Sequence, residues 1–178
     1  MRPSRVSSQR PGSFYNSCMD TSHIVFIHGS SGDKSNTYKA VLLRTRFPGM
    51  LTPDFEGDIQ TRMAKLISLL GNEKDWMLVG SSLGGLMATL FAAQAPGQVK
   101  KLILLAPALT LPEFADHLPD PIHVPTIVVQ GTKDELIPWE AARNLAERVF
   151  SNLNFIIVDD DHRLHKTAET LDWESMLA

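Results

Sequence analysis

The chain has 178 residues, 43% of them apolar and 21% charged, enough for one domain with a sizeable core and too few for two. A formal net charge of −3 and a pI near 6.0, with charges scattered along the chain, exclude the electrostatic footprint of a nucleic-acid partner. Cys18, the single cysteine, excludes an intrachain disulfide and a cysteine-based metal site, and no apolar run approaches the roughly 20 residues of a membrane span.

Residues 1–20 carry Arg2, Arg5 and Arg10, several serines, two prolines and no acidic residue before Asp20. They read as a disordered leader without the apolar core of a secretory signal, and Met19 is an alternative start. Residues 21–178 are expected to form the single domain, and cytoplasm is the default location for a chain with so little cysteine. Five apolar runs follow: Ile24 to Ile27, Trp76 to Val79, Leu102 to Leu105, Thr126 to Val129 and Phe155 to Val158. Continuous rather than alternating hydrophobicity predicts strands buried on both faces of a parallel sheet. Met50 to Thr52, bracketed by Pro48 and Pro53, is a weaker sixth candidate suited to an edge.

Helical patterns lie between the strands. Residues 37–46 form a short one; Ile59, Met63, Leu66, Ile67 and Leu70 make an amphipathic stripe with Asp58 as N-cap and Gly71 as stop. Residues 83–95 are apolar nearly all round, as a helix buried under the centre of a sheet would be. Pro138, Ala142, Leu145, Ala146 and Val149 mark another, and Leu164, Ala168 and Leu171 begin the last. The alternation predicts an α/β fold: a doubly wound, mainly parallel sheet of about six strands with helices on both faces.

Reactive groups in such a sheet collect at the carboxyl ends of the strands. There the chain carries His28-Gly29-Ser30-Ser31-Gly32, Gly80-Ser81-Ser82-Leu83-Gly84, Gly131-Thr132-Lys133-Asp134-Glu135 and Asp159-Asp160-Asp161-His162. The second is a G-x-S-x-G between an apolar run and a helical segment, the context of a nucleophile elbow centred on Ser82. Ser81 is adjacent but lacks glycines at both offsets. A serine hydroxyl needs an imidazole to take its proton, and a carboxylate must hold that imidazole in the right tautomer. His162, with His165 as rival, supplies the base; Asp134, with Glu135 as rival, supplies the acid. The run Asp159 to Asp161 reads as a solvated strand end, because adjacent carboxylates alternate in direction and rarely converge on one cation. His28 is expected to brace its loop, and His117 and His123 to be exposed.

The order nucleophile, acid, base, carried by Ile24 to Gly32, Leu78 to Leu86, Leu104 to Pro107, Val124 to Pro138 and Val158 to Leu164, resembles the α/β-hydrolase superfamily. The likeness is to its small members without a cap domain, similar to serine aminopeptidase-like and carboxylesterase-like hydrolases. The resemblance implies an oxyanion hole made by the backbone N–H groups of Ser30 and Leu83. It further implies a serine hydrolase acting on a small-molecule acyl substrate, an ester or else a thioester or small amide, with no metal or organic cofactor. A cofactor-free lyase or perhydrolase, or a binding protein that keeps the fold without turnover, are the alternatives. Pro107 to Pro125 stands where larger relatives insert a lid; Phe114, Leu109, Leu111 and Leu118 are expected to give one apolar wall of an open, shallow site.

Overall fold

A computed structural model describes residues 21–30 and 37–178. The expected leader, 1–20, and Ser31 and Gly32 of the first loop lie outside the described residues. Five strands, β1 (Ile24–Ile27), β2 (Trp76–Ser81), β3 (Val99–Leu105), β4 (Thr126–Gly131) and β5 (Leu153–Val158), form one sheet. All pairs are parallel and the order is β1-β2-β3-β4-β5. The helices are α1 (Tyr38–Arg46), α2 (Ile59–Leu70), α3 (Leu83–Gln94), α4 (Pro112–Ala115), α5 (Trp139–Val149), α6 (His165–Thr170) and α7 (Trp173–Met176).

The sheet therefore has five strands rather than about six. Around Met50 to Thr52 the sixth is reduced to one parallel bridge, Val25 to Leu51, closed by Phe26 N–H to Leu51 O and Leu51 N–H to Ile24 O, both 2.9 Å. Pro48 and Pro53 leave no room for a longer ladder. That bridge still sets the winding. The chain leaves β1 outward to Leu51, then returns through α2 to β2 on the other side of β1, so its direction of travel reverses there. With crossovers of the usual hand, such a reversal puts helices on opposite faces and opens a crevice at the strand ends where it occurs.

Two apolar layers follow from this. Alternate strand residues Val25, Ile27, Leu78, Leu102, Leu104 and Val128 pack with α2, α3 and α5, while Ile24, Phe26, Met77, Val79, Ile103 and Val129 pack with α1, α6 and α7. The central strands are buried on both faces as the continuous runs predict, but β5 is only half-buried because it is the sheet's edge. On the second face Trp173 is fully enclosed, its indole N–H donating to Ala168 O at 2.8 Å and tying α7 to α6.

Local signals explain the element ends. Asp58 accepts from Thr61 N–H at 2.8 Å and starts α2; Gly71, at φ 56°, ends it. Within α2 the buried stripe is Arg62, Met63, Leu66 and Leu70, with Ile67 turned to solvent. The buried face is thus rotated about the helix axis toward Arg62 and away from Ile67. Pro138 is the N-cap of α5, and the last helical pattern is split into α6 and α7 by Leu171 and Asp172. No helix among the described residues is long and apolar enough to cross a membrane.

Candidate active site

Ser82 sits between β2 and α3 with φ 53° and ψ −118°, a conformation that L side chains rarely adopt. The turn is forced by its neighbours. A Cβ at Gly80 would stand 2.5 Å from Gly84 O, and one at Gly84 only 2.0 Å from Ile27 O. Both positions therefore admit hydrogen alone, and the tight bend lifts the Ser82 hydroxyl out of the sheet end. Ser81 points the other way and is buried within β2.

The loop after β5 brings His162 to this bend. Its Nε2 lies 3.1 Å from Ser82 Oγ, and its Nδ1 lies 2.8 Å from Asp134 Oδ2. Asp134 comes from the loop after β4, and its side chain is wholly buried. Four donors satisfy it: Leu136 N–H at 2.9 Å and Ile137 N–H at 2.8 Å to Oδ1, Gln130 Nε2 at 2.7 Å and His162 Nδ1 to Oδ2. A carboxylate so surrounded accepts only, so the imidazole proton resides on Nδ1 and Nε2 presents a lone pair to the serine hydroxyl. Glu135 is exposed and takes no part. His165 lies at the start of α6 with its ring 4.5 Å from that of Tyr38, away from Ser82. Burial, with Lys39 and Arg163 nearby, pulls the His165 imidazole below its ordinary pKa.

The three adjacent aspartates diverge. Asp159 pairs with Lys133 at 2.8 Å, which holds its carboxyl below the usual range. Asp160 accepts the Thr167 N–H and hydroxyl, both at 2.8 Å, and these bonds outweigh the upward push of burial. Asp161 accepts from Arg163 N–H at 2.8 Å. The three carboxylates thus face different partners, and no cluster of three or more metal-ligating side chains occurs among the described residues.

The loop after β1 closes the other side. A Cβ on Gly29 would lie 3.3 Å from Ser82 Cβ and 3.8 Å from its Oγ, so this backbone runs directly past the serine. His28 is buried and braces the loop: Phe55 N–H donates to its Nε2 at 2.8 Å, which leaves the proton on Nδ1 to be donated to Gly29 O at 2.7 Å. Arg62 Nη2 donates to His28 O at 2.7 Å and Gly29 O at 3.1 Å. Leu83 is the first residue of α3, where an N–H has no intrahelical acceptor. Ser30, Ser82, Leu83 and His162 line one cleft of about 270 Å³ together with Ala108, Thr110, Leu111, Leu136 and Ile137. Leu109 and Phe114, expected in its wall, instead fill the core beneath it, and Leu118 packs partly buried against that core. His117 and His123 are exposed.

Gln130 and Arg62 escaped the sequence reading. Each left a trace: Gln130 is a polar residue in the apolar run of β4, and Arg62 a charge on the core face of α2.

The sequence pattern described as "Alpha/beta hydrolase family" matches residues 57–165, well over half of the chain and including the elbow, the buried aspartate and His162. The chain belongs to the alpha/beta hydrolase family. Palmitoyl-protein thioesterase ABHD10, mitochondrial, from Rattus norvegicus is 36% identical over 55 residues, a match covering 30% of this chain and 18% of that protein. Among solved structures, alpha/beta hydrolase domain-containing protein 10 from mouse superposes with a TM-score of 0.68 at 21% identity, covering 82% of this chain and 84% of that one. Est1E from Butyrivibrio proteoclasticus gives 0.68 at 20% identity over 82% and 83%. An alpha-beta serine hydrolase homologue from Coxiella burnetii gives 0.69 at 19% over 89% and 84%. At these identities the likeness is one of fold.

Proposed function

We propose that the protein is a serine hydrolase that cleaves a carboxylic ester or thioester bearing a short apolar acyl group, through an acyl-enzyme on Ser82. The single observation that carries this reading is the continuous hydrogen-bond chain from Asp134 through His162 to the Ser82 hydroxyl, 2.8 and then 3.1 Å. Nε2 takes the hydroxyl proton as Oγ bonds to the acyl carbon, and the imidazolium is held by Asp134. The carbonyl π pair moves onto oxygen, which the N–H groups of Ser30 and Leu83 receive. The tetrahedral adduct then expels the alcohol or thiol, protonated by His162. Water repeats the sequence on the acyl-enzyme and releases the acid. Preorganised donors of this kind are worth about 3–4 kcal/mol of barrier each, because they need no reorientation as charge develops.

The cleft supports the acyl class. Among the described residues its lining contains no charged side chain, and Leu83, Ala108, Leu111, Leu136 and Ile137 give it apolar walls. Its volume of about 270 Å³ suits a short chain better than a long one. The name of the rat relative, a palmitoyl-protein thioesterase, favours including thioesters. The single Cys18 favours a reducing compartment such as the cytoplasm as its location.

The test is steady-state and burst kinetics on p-nitrophenyl esters and acyl thioesters from acetyl to palmitoyl. The expected outcome is a nitrophenolate burst of about one per enzyme, kcat/KM highest for the shorter acyl groups, and loss of both in Ser82→Ala. Hydrolysis undiminished in Ser82→Ala would refute the reading.

A further inference from the structure

Arg62 is 2% exposed, yet among the described residues no carboxylate lies within ion-pair distance of it. Its Nε has no hydrogen-bond partner there, and its guanidinium carbon stands 5.9 Å from the centre of the Phe55 ring. Removing a cation from water without a counter-ion is costly, and a leucine or methionine at this place on α2 would complete the apolar stripe of Met63, Leu66 and Leu70. What Arg62 does contact is specific: the carbonyls of His28 and Gly29, at 2.7 and 3.1 Å.

The second carbonyl matters for chemistry. In a planar trans peptide the C=O of one residue and the N–H of the next point in opposite directions. Fixing Gly29 O toward Arg62 therefore fixes Ser30 N–H away from it, and the Gly29 backbone lies so close to Ser82 that a side chain there would stand 3.3 Å from Ser82 Cβ. A cation on the carbonyl also polarises the amide and strengthens its N–H as a donor.

We propose that Arg62 is a positioning residue for the oxyanion hole, acting through the Gly29–Ser30 peptide. It holds Ser30 N–H in the direction a developing oxyanion needs, without touching substrate itself. His28 Nδ1–H, which shares Gly29 O, helps to set the same peptide but carries no charge, its Nε2 accepting from Phe55 N–H. This inference rests on the proposed serine-hydrolase reading, since without an oxyanion the direction of Ser30 N–H is immaterial.

The experiment compares wild type, Ser82→Ala, Arg62→Met, Arg62→Gln and Arg62→Lys with p-nitrophenyl acetate, and measures binding of an aryl trifluoromethyl ketone. That ketone forms a tetrahedral adduct with a serine and fills the hole with an oxyanion. Expected are a roughly ten- to hundredfold fall in kcat for Arg62→Met and Arg62→Gln with KM within about threefold, a matching loss of ketone affinity, and partial recovery in Arg62→Lys. A folded Arg62→Met or Arg62→Gln with wild-type kcat and ketone affinity would overturn the inference while leaving the hydrolase reading intact. Loss of folding in both would also overturn it, by making Arg62 a support of the core alone. An inert wild type, or activity surviving in Ser82→Ala, would strike the hydrolase reading instead.

Discussion

At the scale of single residues the site depends on one tautomer. Asp134 accepts from His162 Nδ1 and from Gln130, Leu136 and Ile137, so every lone pair that could misdirect the imidazole is engaged. Replacing it with asparagine keeps the size but offers an N–H₂ where a lone pair is needed, which favours the imidazole with its proton on the serine side. On the proposed mechanism, Asp134→Asn should lower kcat by roughly 10³- to 10⁴-fold with folding retained. Glu135→Gln, at an exposed neighbour that bonds none of these groups, should leave kcat within about twofold. Kinetics on the two variants side by side check the assignment, and equal losses would contradict it. The residues of this chain were legible because each is a chemically distinctive group at a strand's carboxyl end. Arg62 and Gln130 were not. Arg62 meets carbonyls 33 and 34 residues away in sequence, and a periodic pattern registers which face a side chain occupies, not what it finds there.

At the scale of elements, the bend from β2 into α3 is the part that tolerates least. Backbone atoms 2.0 Å from a Cβ at Gly84 and 2.5 Å from one at Gly80 cannot move aside as a flexible side chain can. Gly84→Ala should therefore cost about 3 kcal/mol or more, near the top of what overpacking does, or prevent folding. Gly97→Ala, where nothing lies within 4 Å of the new methyl, should change stability by less than about 1 kcal/mol. Urea denaturation of both checks this; a neutral Gly84→Ala would mean that β1 and the elbow are not in contact. The glycine spacing made the elbow readable before any coordinates, and the five strands were readable from unbroken apolar runs. Strand ends were less so. β3 begins at Val99, ahead of its apolar run, because Lys100 and Lys101 leave the core at its lower edge. There Lys101 reaches the carbonyls of Met176 and Ala178 at 3.0 and 2.8 Å. The wall expected from Leu109 and Phe114 failed for a related reason: with so short a connection between β3 and β4, its largest apolar groups are drawn into the core under the cleft.

At the scale of the whole molecule, the two layers of helices carry unequal burdens. The layer of α1, α6 and α7 holds a buried lysine, Lys39, whose ammonium donates to Arg163 O at 2.5 Å, next to His162. Burial brings its pKa down to about 8 from an ordinary 10.5, against the opposing pull of Asp161 and Asp160. Between those values the unfolded chain keeps a proton that the folded one has released. The unfolded state thus binds more protons, and stability rises with pH from about 8 to about 10.5. Over the full interval the gain is about 3 kcal/mol. Lys39→Met removes it, while other alkaline titrations cancel in the comparison. The free energy of unfolding of wild type minus that of Lys39→Met, measured in urea at pH 7.5 and pH 10, should therefore increase with pH. A difference independent of pH would contradict the burial of this ammonium.

The central claim is that one hydroxyl, Ser82, is activated by His162 and forms a covalent acyl intermediate. The most direct measurement is the intact mass and peptide map of the folded protein after a fluorophosphonate, run beside Ser82→Ala, His162→Ala and His165→Ala. The account predicts a single adduct on the peptide containing Ser82, absent from Ser82→Ala, strongly slowed in His162→Ala and unaffected by His165→Ala. An adduct on Ser81 or Ser30, or none on the folded wild type, would contradict it.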